Sequence, residues 1–194
     1  MLSLNKWKYH AGAALLASAF AASSAYAADP VLSIVTTPAA GVVGSTVELD
    51  IQLSGVSDLY TYQFSLLFNP ALLQASGVSE GAFLSSGGGN TYADGGSTDN
   101  GTGAISYVFN TLLGPVSGVS GGGSLAHITF NVIGAGVSTL SFADTMFLDS
   151  AGNDIATQIT SQSLTTAAVP EPSTYLMLGV GLVGLAALRR RQVG

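Results

Sequence analysis

Few groups in this 194-residue chain could do chemistry. Between its two ends stands a single histidine, His127, and cysteine is absent altogether. Nucleophilic hydrolysis needs an imidazole held against a hydroxyl and oriented by a third group. His127 has the opposite parity to Ile128 and Phe130, so it is expected on the outward face of a strand, and no neighbouring motif sets a nucleophile beside it. Asp58, Asp94, Asp99, Asp144 and Asp149 supply carboxylates, yet no spacing pairs them across a cleft as glycoside hydrolysis requires. No catalytic residue is assigned, and the chain reads as a non-enzyme. Asp144, Asp149, Asn153 and Asp154 place four oxygen donors within eleven residues around Gly152, the ligand type that calcium takes. They form a candidate calcium site, the one cofactor implied. Their spacing departs from the D-x-[DN]-x-[DN]-G loop, however, and a hairpin turn through Asp149-Ser150-Ala151-Gly152-Asn153 is the favoured reading.

Such side chains have to be carried by strands. From Tyr60 to Phe68 the large apolar groups fall on every second residue, with Thr61, Gln63 and Ser65 between them. This is a β period, and five large groups committed to one side call for a second layer to cover them. Asn69-Pro70 ends the run. Val31 to Thr36 reads as a first strand, and Val47, Leu49, Ile51 and Leu53 alternate with Thr46, Glu48, Asp50 and Gln52 in a second that Gly55 ends. Ala71 to Leu84 reads as an end-cap. Ser85 to Gly103 is a glycine-rich surface loop with a short edge strand at Asn90 to Ala93 and Tyr92 as its one large side chain. Ile105 to Phe109, Leu125 to Ile133, Leu140 to Phe142, Met146 to Leu148 and Ile155 to Leu164 continue the pattern. Eight or nine strands with glycine turns and no long helix predict an all-β, two-sheet antiparallel sandwich. With lysine missing from its edges, acids such as Glu48 and Asp50, or the glycine loops, are expected to guard them.

The two ends are addresses. Lys6 and Lys8, the apolar run Ala11 to Ala22 and Ala25-Tyr26-Ala27 have the order of a secretory signal peptide cut after Ala27, which makes residues 1–27 a leader helix. At the other end Pro170-Glu171-Pro172 precedes the uncharged run Tyr175 to Leu188 and then Arg189-Arg190-Arg191. Fourteen helical residues rise about 21 Å, short of the ~30 Å hydrocarbon core unless their flanks help. This hydrophobic helix, in residues 169–194, is the chain's one expected membrane contact, a transient inner-membrane anchor with the arginines on the cytoplasmic side.

Residues 28–168 remain as one domain. All five Lys and Arg lie in the address segments, whereas ten of the eleven acids lie between Asp29 and Asp154, leaving the domain near −10. A phosphate backbone or an anionic lipid surface needs cations that the domain lacks, so nucleic acid is excluded as a partner.

The wording Tyr-x-Phe-x-Leu-x-Phe-Asn-Pro-x-Leu-Leu at Tyr62 to Leu73, followed by Gly77-Val78 and Gly81-Ala82-Phe83, resembles the third-strand region of cohesin domains. The likeness continues through Leu125 to Phe130 and through Leu148 to Ile155. It implies the jelly-roll form of the sandwich, shared with carbohydrate-binding modules, and a docking role in which one sheet face binds a dockerin-type module. Thr61, Gln63 and Ser65 lie where the family places part of that contact. The alternative partner is an extracellular polysaccharide, for which exposed Tyr92 is the candidate contact. The C-terminal order of Pro-Glu-Pro, apolar helix and arginine cluster resembles the PEP-CTERM sorting signal. That resemblance implies an exosortase that cuts the tail, and a secreted or cell-surface location in a Gram-negative bacterium that makes exopolysaccharide.

Overall fold

The computed structural model describes residues 29–169 and, beyond them, 178 and 180–182. Ala25 and Ala27 of the expected signal-peptide cleavage site, and the tail residues Pro170, Glu171, Pro172, Arg189, Arg190 and Arg191, lie outside the described residues. Among the described residues no helix is long and apolar enough to cross a membrane.

Within residues 29–169 the alternating segments become eleven strands and one helical turn. In chain order they are β1 (Val31–Thr37), β2 (Ala40–Val42), β3 (Thr46–Leu67), β4 (Leu73–Glu80), α1 (Ala82–Ser85), β5 (Thr91–Asp94) and β6 (Ser97–Asp99). Then come β7 (Ala104–Leu112), β8 (Val119–Val132), β9 (Gly136–Asp149), β10 (Gln158–Ile159) and β11 (Gln162–Ala167). The organising element is β3, whose 22 residues belong to both layers. Its first half pairs with β1 on one side and β8 on the other, and β4 and β10 extend that sheet. Its second half lies between β7 and β9, with β5 and β6 beyond β7 and with β11 and β2 beyond β9. One strand that switches sheets through a bend is how a sandwich turns a corner.

Gly55, expected to end a strand, instead makes the bend at φ 72°, followed by Asp58 at φ 59°. A left-handed backbone costs glycine nothing. Asp58 is held there by its own side chain, since its Oδ1 accepts the Gly118 N–H at 2.7 Å and its Oδ2 the Ser150 hydroxyl at 2.6 Å. The corner is thereby tied to the start of β8 and the end of β9.

Between the layers the alternating residues meet. Val47, Leu49, Ile51 and Leu53 from one half of β3, and Tyr62, Phe64 and Leu66 from the other, are all buried with Ile128, Phe130 and Val132 of β8. Phe64 packs edge-on to Phe142 at 5.5 Å and Phe68 edge-on to Phe130 at 4.8 Å, the aromatic geometry that ring quadrupoles favour.

Several expected boundaries move. Leu73 to Glu80, read as an end-cap, is β4, and the two short runs after Gly136 are one strand, β9. Ile155 to Leu164 is not one strand, because pairing passes from β1 to β9 between β10 and β11. Glu48 and Asp50 guard no edge, since their half of β3 lies between β1 and β8. The inward-pointing acid on an edge is Glu80, whose register partner Ala126 is buried.

Candidate recognition face

The outer face of the second sheet is centred on Thr61, Gln63 and Ser65, opposite in parity to core residues Tyr62, Phe64 and Leu66. Only Gln63 of the three is partly open. Thr61 is 9% exposed and shares a 2.7 Å hydroxyl–hydroxyl bond with Thr111 of β7. Ser65 is 2% exposed although it points away from the core. The reason is that both neighbouring strands bulge around it. On β7 the register slips between Phe64 and Leu66, and on β9 between Gln63 and Ser65. Each bulge carries a non-glycine residue in the left-handed region, Tyr107 at φ 58° and Asp144 at φ 48°.

The Ser65 hydroxyl ties the two bulges together. It accepts the Tyr107 backbone N–H at 3.1 Å and donates to Asp144 Oδ2 at 3.0 Å. Gln63 Nε2 donates to the Asp144 carbonyl at 3.4 Å. Bulges re-aim side chains, and conformations that cost energy persist where the surroundings hold them. Here they lift Tyr107, 58% exposed, and Asp144 above the sheet. Phe109 and Met146, the register partners of Gln63, and Leu148, the partner of Thr61, form a half-buried apolar floor, with Leu67 exposed at one end. Tyr92 of β5, 57% exposed, stands in register with Thr111 at the sheet's edge. Sequence parity found the central strand but not Tyr107, which no local signal marks as a bulge.

The four proposed calcium ligands divide. Asp149 closes the hairpin: its Oδ1 accepts the N–H groups of Ala151 and Asn153, and its Oδ2 accepts Asn153 Nδ2 at 2.9 Å. The Asn153 side chain first, and these backbone donors after it, hold the Asp149 carboxyl below the usual carboxylate range. Asp144 is engaged with Ser65 on the sheet face, and Asp154 bridges back to Leu148. Among the described residues no three His, Asp or Glu side chains form a group that could hold a metal ion.

His127 does meet a hydroxyl, against expectation. Its Nε2 is 3.2 Å from Ser124 Oγ, and its Nδ1 lies 3.2 Å from Glu48 Oε1 and 3.9 Å from Asp50 Oδ1. Three residues apart on a regular strand, Ser124 and His127 would face opposite ways. The register slip between Ile51 and Gln52 skips Leu125 and brings them to one side. A Cβ placed on Gly81 would fall 2.3 Å from the Ser124 carbonyl oxygen and 2.6 Å from its Oγ, so the backbone at Gly81 packs closely against this residue.

The fold is thus a two-layer antiparallel sandwich with an outer face built on two bulges. Residues 31–166 match the model of the cohesin domain, and the chain belongs to the cohesin family. Cohesin domains are non-catalytic binding domains. Residues 168–191 match the PEP-CTERM protein-sorting motif, a mark of export. Among curated proteins nothing matches the chain.

Solved cohesins share the fold. The non-cellulosomal cohesin from the hyperthermophilic archaeon Archaeoglobus fulgidus is similar at 15% identity, over 77% of this chain and 98% of that one, with a TM-score of 0.56. A cohesin from a type II Cohesin-X-Dockerin complex of Acetivibrio cellulolyticus is similar at 13% identity, over 71% and 99%, with a TM-score of 0.60. The sixth cohesin of scaffoldin B from the same organism, solved in complex with a dockerin, is similar at 19% identity, over 72% and 99%, with a TM-score of 0.56.

Proposed function

We propose that this protein is an exported recognition module that captures a dockerin-type protein partner through the outer face of β7, the second half of β3, and β9. The observation that carries the reading is the pair of bulges locked by Ser65. They raise an aromatic ring, Tyr107, and a carboxylate, Asp144, over an apolar floor. A rigid aromatic anchor over apolar groups is the composition of an interface centre, and polar groups such as Asp144 belong to its rim. Two of the similar cohesins were solved in complexes that contain dockerins, which supports the same class of partner here. Thr61 and Ser65 act from beneath, shaping the face, while Gln63, Tyr107 and Asp144 make the contact.

Capture from the source's secretome tests this. The wild-type protein is expected to retain a dockerin-bearing protein that a Tyr107→Ala, Gln63→Arg variant releases. Retention of no such protein, or equal retention by the variant, would sink the reading. The second reading, binding of the cell's own exopolysaccharide, has exposed Tyr92 in its favour. It predicts adsorption to the purified polymer that Tyr92→Ala abolishes. For the tail, the reading is removal by an exosortase after export, leaving the domain at the surface of a Gram-negative cell or released from it.

A further inference from the structure

We infer that the end of the sandwich from which the tail leaves is a lipid-facing surface, which rests on the headgroup layer of a bilayer while the tail is in place. This rests on the reading of the tail as a membrane anchor before its removal.

The strands define that end. β3 both starts and stops there, since Phe68, one residue past it, packs on Phe130, the register partner of Val47. β11 stops there too, with Ala167 in register with Val42 and its carbonyl accepting the Val43 N–H at 2.9 Å. The turn from β8 to β9 joins them. The Val132 carbonyl accepts the Gly44 N–H at 2.8 Å, and the Leu72 carbonyl accepts the Ile133 N–H at 2.8 Å. These segments present apolar side chains to solvent. Val42, Ile133, Val137 and Val169 are 39–60% exposed, and Ala71 and Ala135 are exposed among them. Grouped apolar exposure of this kind marks a contact with protein or membrane.

Charge is gathered toward the opposite end. Asp58 and Asp149 stand at the corner of β3, Asp154 bridges to Leu148 beside them, and Asp29 leads into Val31, the partner of Ser54. Two acids come toward the apolar end, and both are turned to other groups. Asp99 Oδ1 accepts the Gly101 N–H at 2.8 Å, and Glu48 Oε1 lies 3.2 Å from His127 Nδ1. A body near −10 is repelled by the anionic lipids of a leaflet, so the side laid against a membrane has to be the side poorest in carboxylates. Here that side is also the apolar one. A second copy of the chain is the poorer occupant, because two domains of this charge repel.

The tail sets how near the bilayer lies. Only Pro170 to Thr174 separate Val169 from the apolar run at Tyr175. Five residues reach at most about 18 Å, half the width of a domain roughly 35 Å across. An anchored domain is therefore held with its exit end toward the lipid, where exposed valine and isoleucine side chains enter the interfacial layer.

The chain has no cysteine, so single-cysteine labels can report position. The full chain with its tail in place is reconstituted in phosphatidylcholine nanodiscs and carries a bimane at Ala135→Cys, Ala151→Cys or Gly181→Cys. Quenching is read with nitroxide lipids, spin-labelled on the headgroup for the first two and on the acyl chain for the third. Ala135→Cys is expected to be quenched about threefold or more above Ala151→Cys, at the corner, and Gly181→Cys to be quenched within the bilayer. Adding Ile133→Asp and Val137→Asp should at least halve quenching at position 135 and leave position 181 unchanged. If position 181 is quenched, equal quenching at 135 and 151, or quenching at 135 that survives both aspartates, would overturn the lipid-facing surface and leave the anchor standing. No quenching at 181 would overturn both.

Discussion

Ser65 holds the recognition face in shape from below. It is buried, it makes two hydrogen bonds to two different strands, and both partners sit in a backbone conformation that side chains other than glycine seldom adopt. Ser65→Ala is expected to cost about 1–3 kcal/mol in denaturant unfolding, the range for leaving a buried partner unsatisfied, and to weaken partner capture as well. Tyr107→Ala removes an exposed ring. Its stability change should stay within about 0.5 kcal/mol, while capture falls by about tenfold or more if the ring is an interface anchor. The Asp149 carboxyl has its proton affinity lowered by the hairpin donors. A carboxylate depressed on folding adds stability that is present above its unfolded value, near 4, and is lost as pH falls through the folded value. Between pH 5 and pH 3 the wild type should therefore lose more stability than Asp149→Asn, measured by denaturant midpoints at each pH, since general charge repulsion is common to both. Residue types and parity were enough to locate Thr61, Gln63 and Ser65. Tyr107 stayed hidden because a bulge is a property of two strands, and neither strand's own sequence declares it.

At the scale of elements, the corner in β3 governs the sandwich. The alternations on either side of Gly55 are both legible, but they read as two strands because Gly55 is a common strand terminator. The chain in fact runs on, exchanging β1 for β7 and β9 as partners. Close approach at Gly118 makes this possible, for a Cβ there would come within 2.4 Å of the Asp58 carbonyl. Gly118→Ala is expected to destabilise the domain by about 1–3 kcal/mol, the scale of overpacking, with a matching drop in the denaturant midpoint. Asp58→Ala should lower the midpoint too, by freeing the Gly118 and Ser150 donors that hold the corner. A midpoint unchanged in both variants would mean that the corner is held by something other than this contact.

For the molecule as a whole, charge separation is the dominant fact. A domain near −10 between two basic end segments repels its own kind, and a partner of positive charge is expected. Capture is then expected to weaken between about 50 and 500 mM salt as screening shortens the Debye length, measured as a slower association rate. Intact mass of the protein recovered from culture is expected to lack residues 1–27 and most of the chain after Pro172. A product still carrying Arg189 to Gly194 would refute removal of the tail. Alternation every second residue, glycine punctuation and the absence of cysteine determined by themselves that this is a β-sandwich held by its core, because the strand period is a local property of consecutive residues. Pairing joins residues far apart in the chain, and it alone decided that β3 serves both sheets, that Ser124 meets His127 beneath Gly81, and that Tyr107 stands over Ser65. Each of these follows from a register shift or a close backbone approach, which exists only once two strands lie side by side.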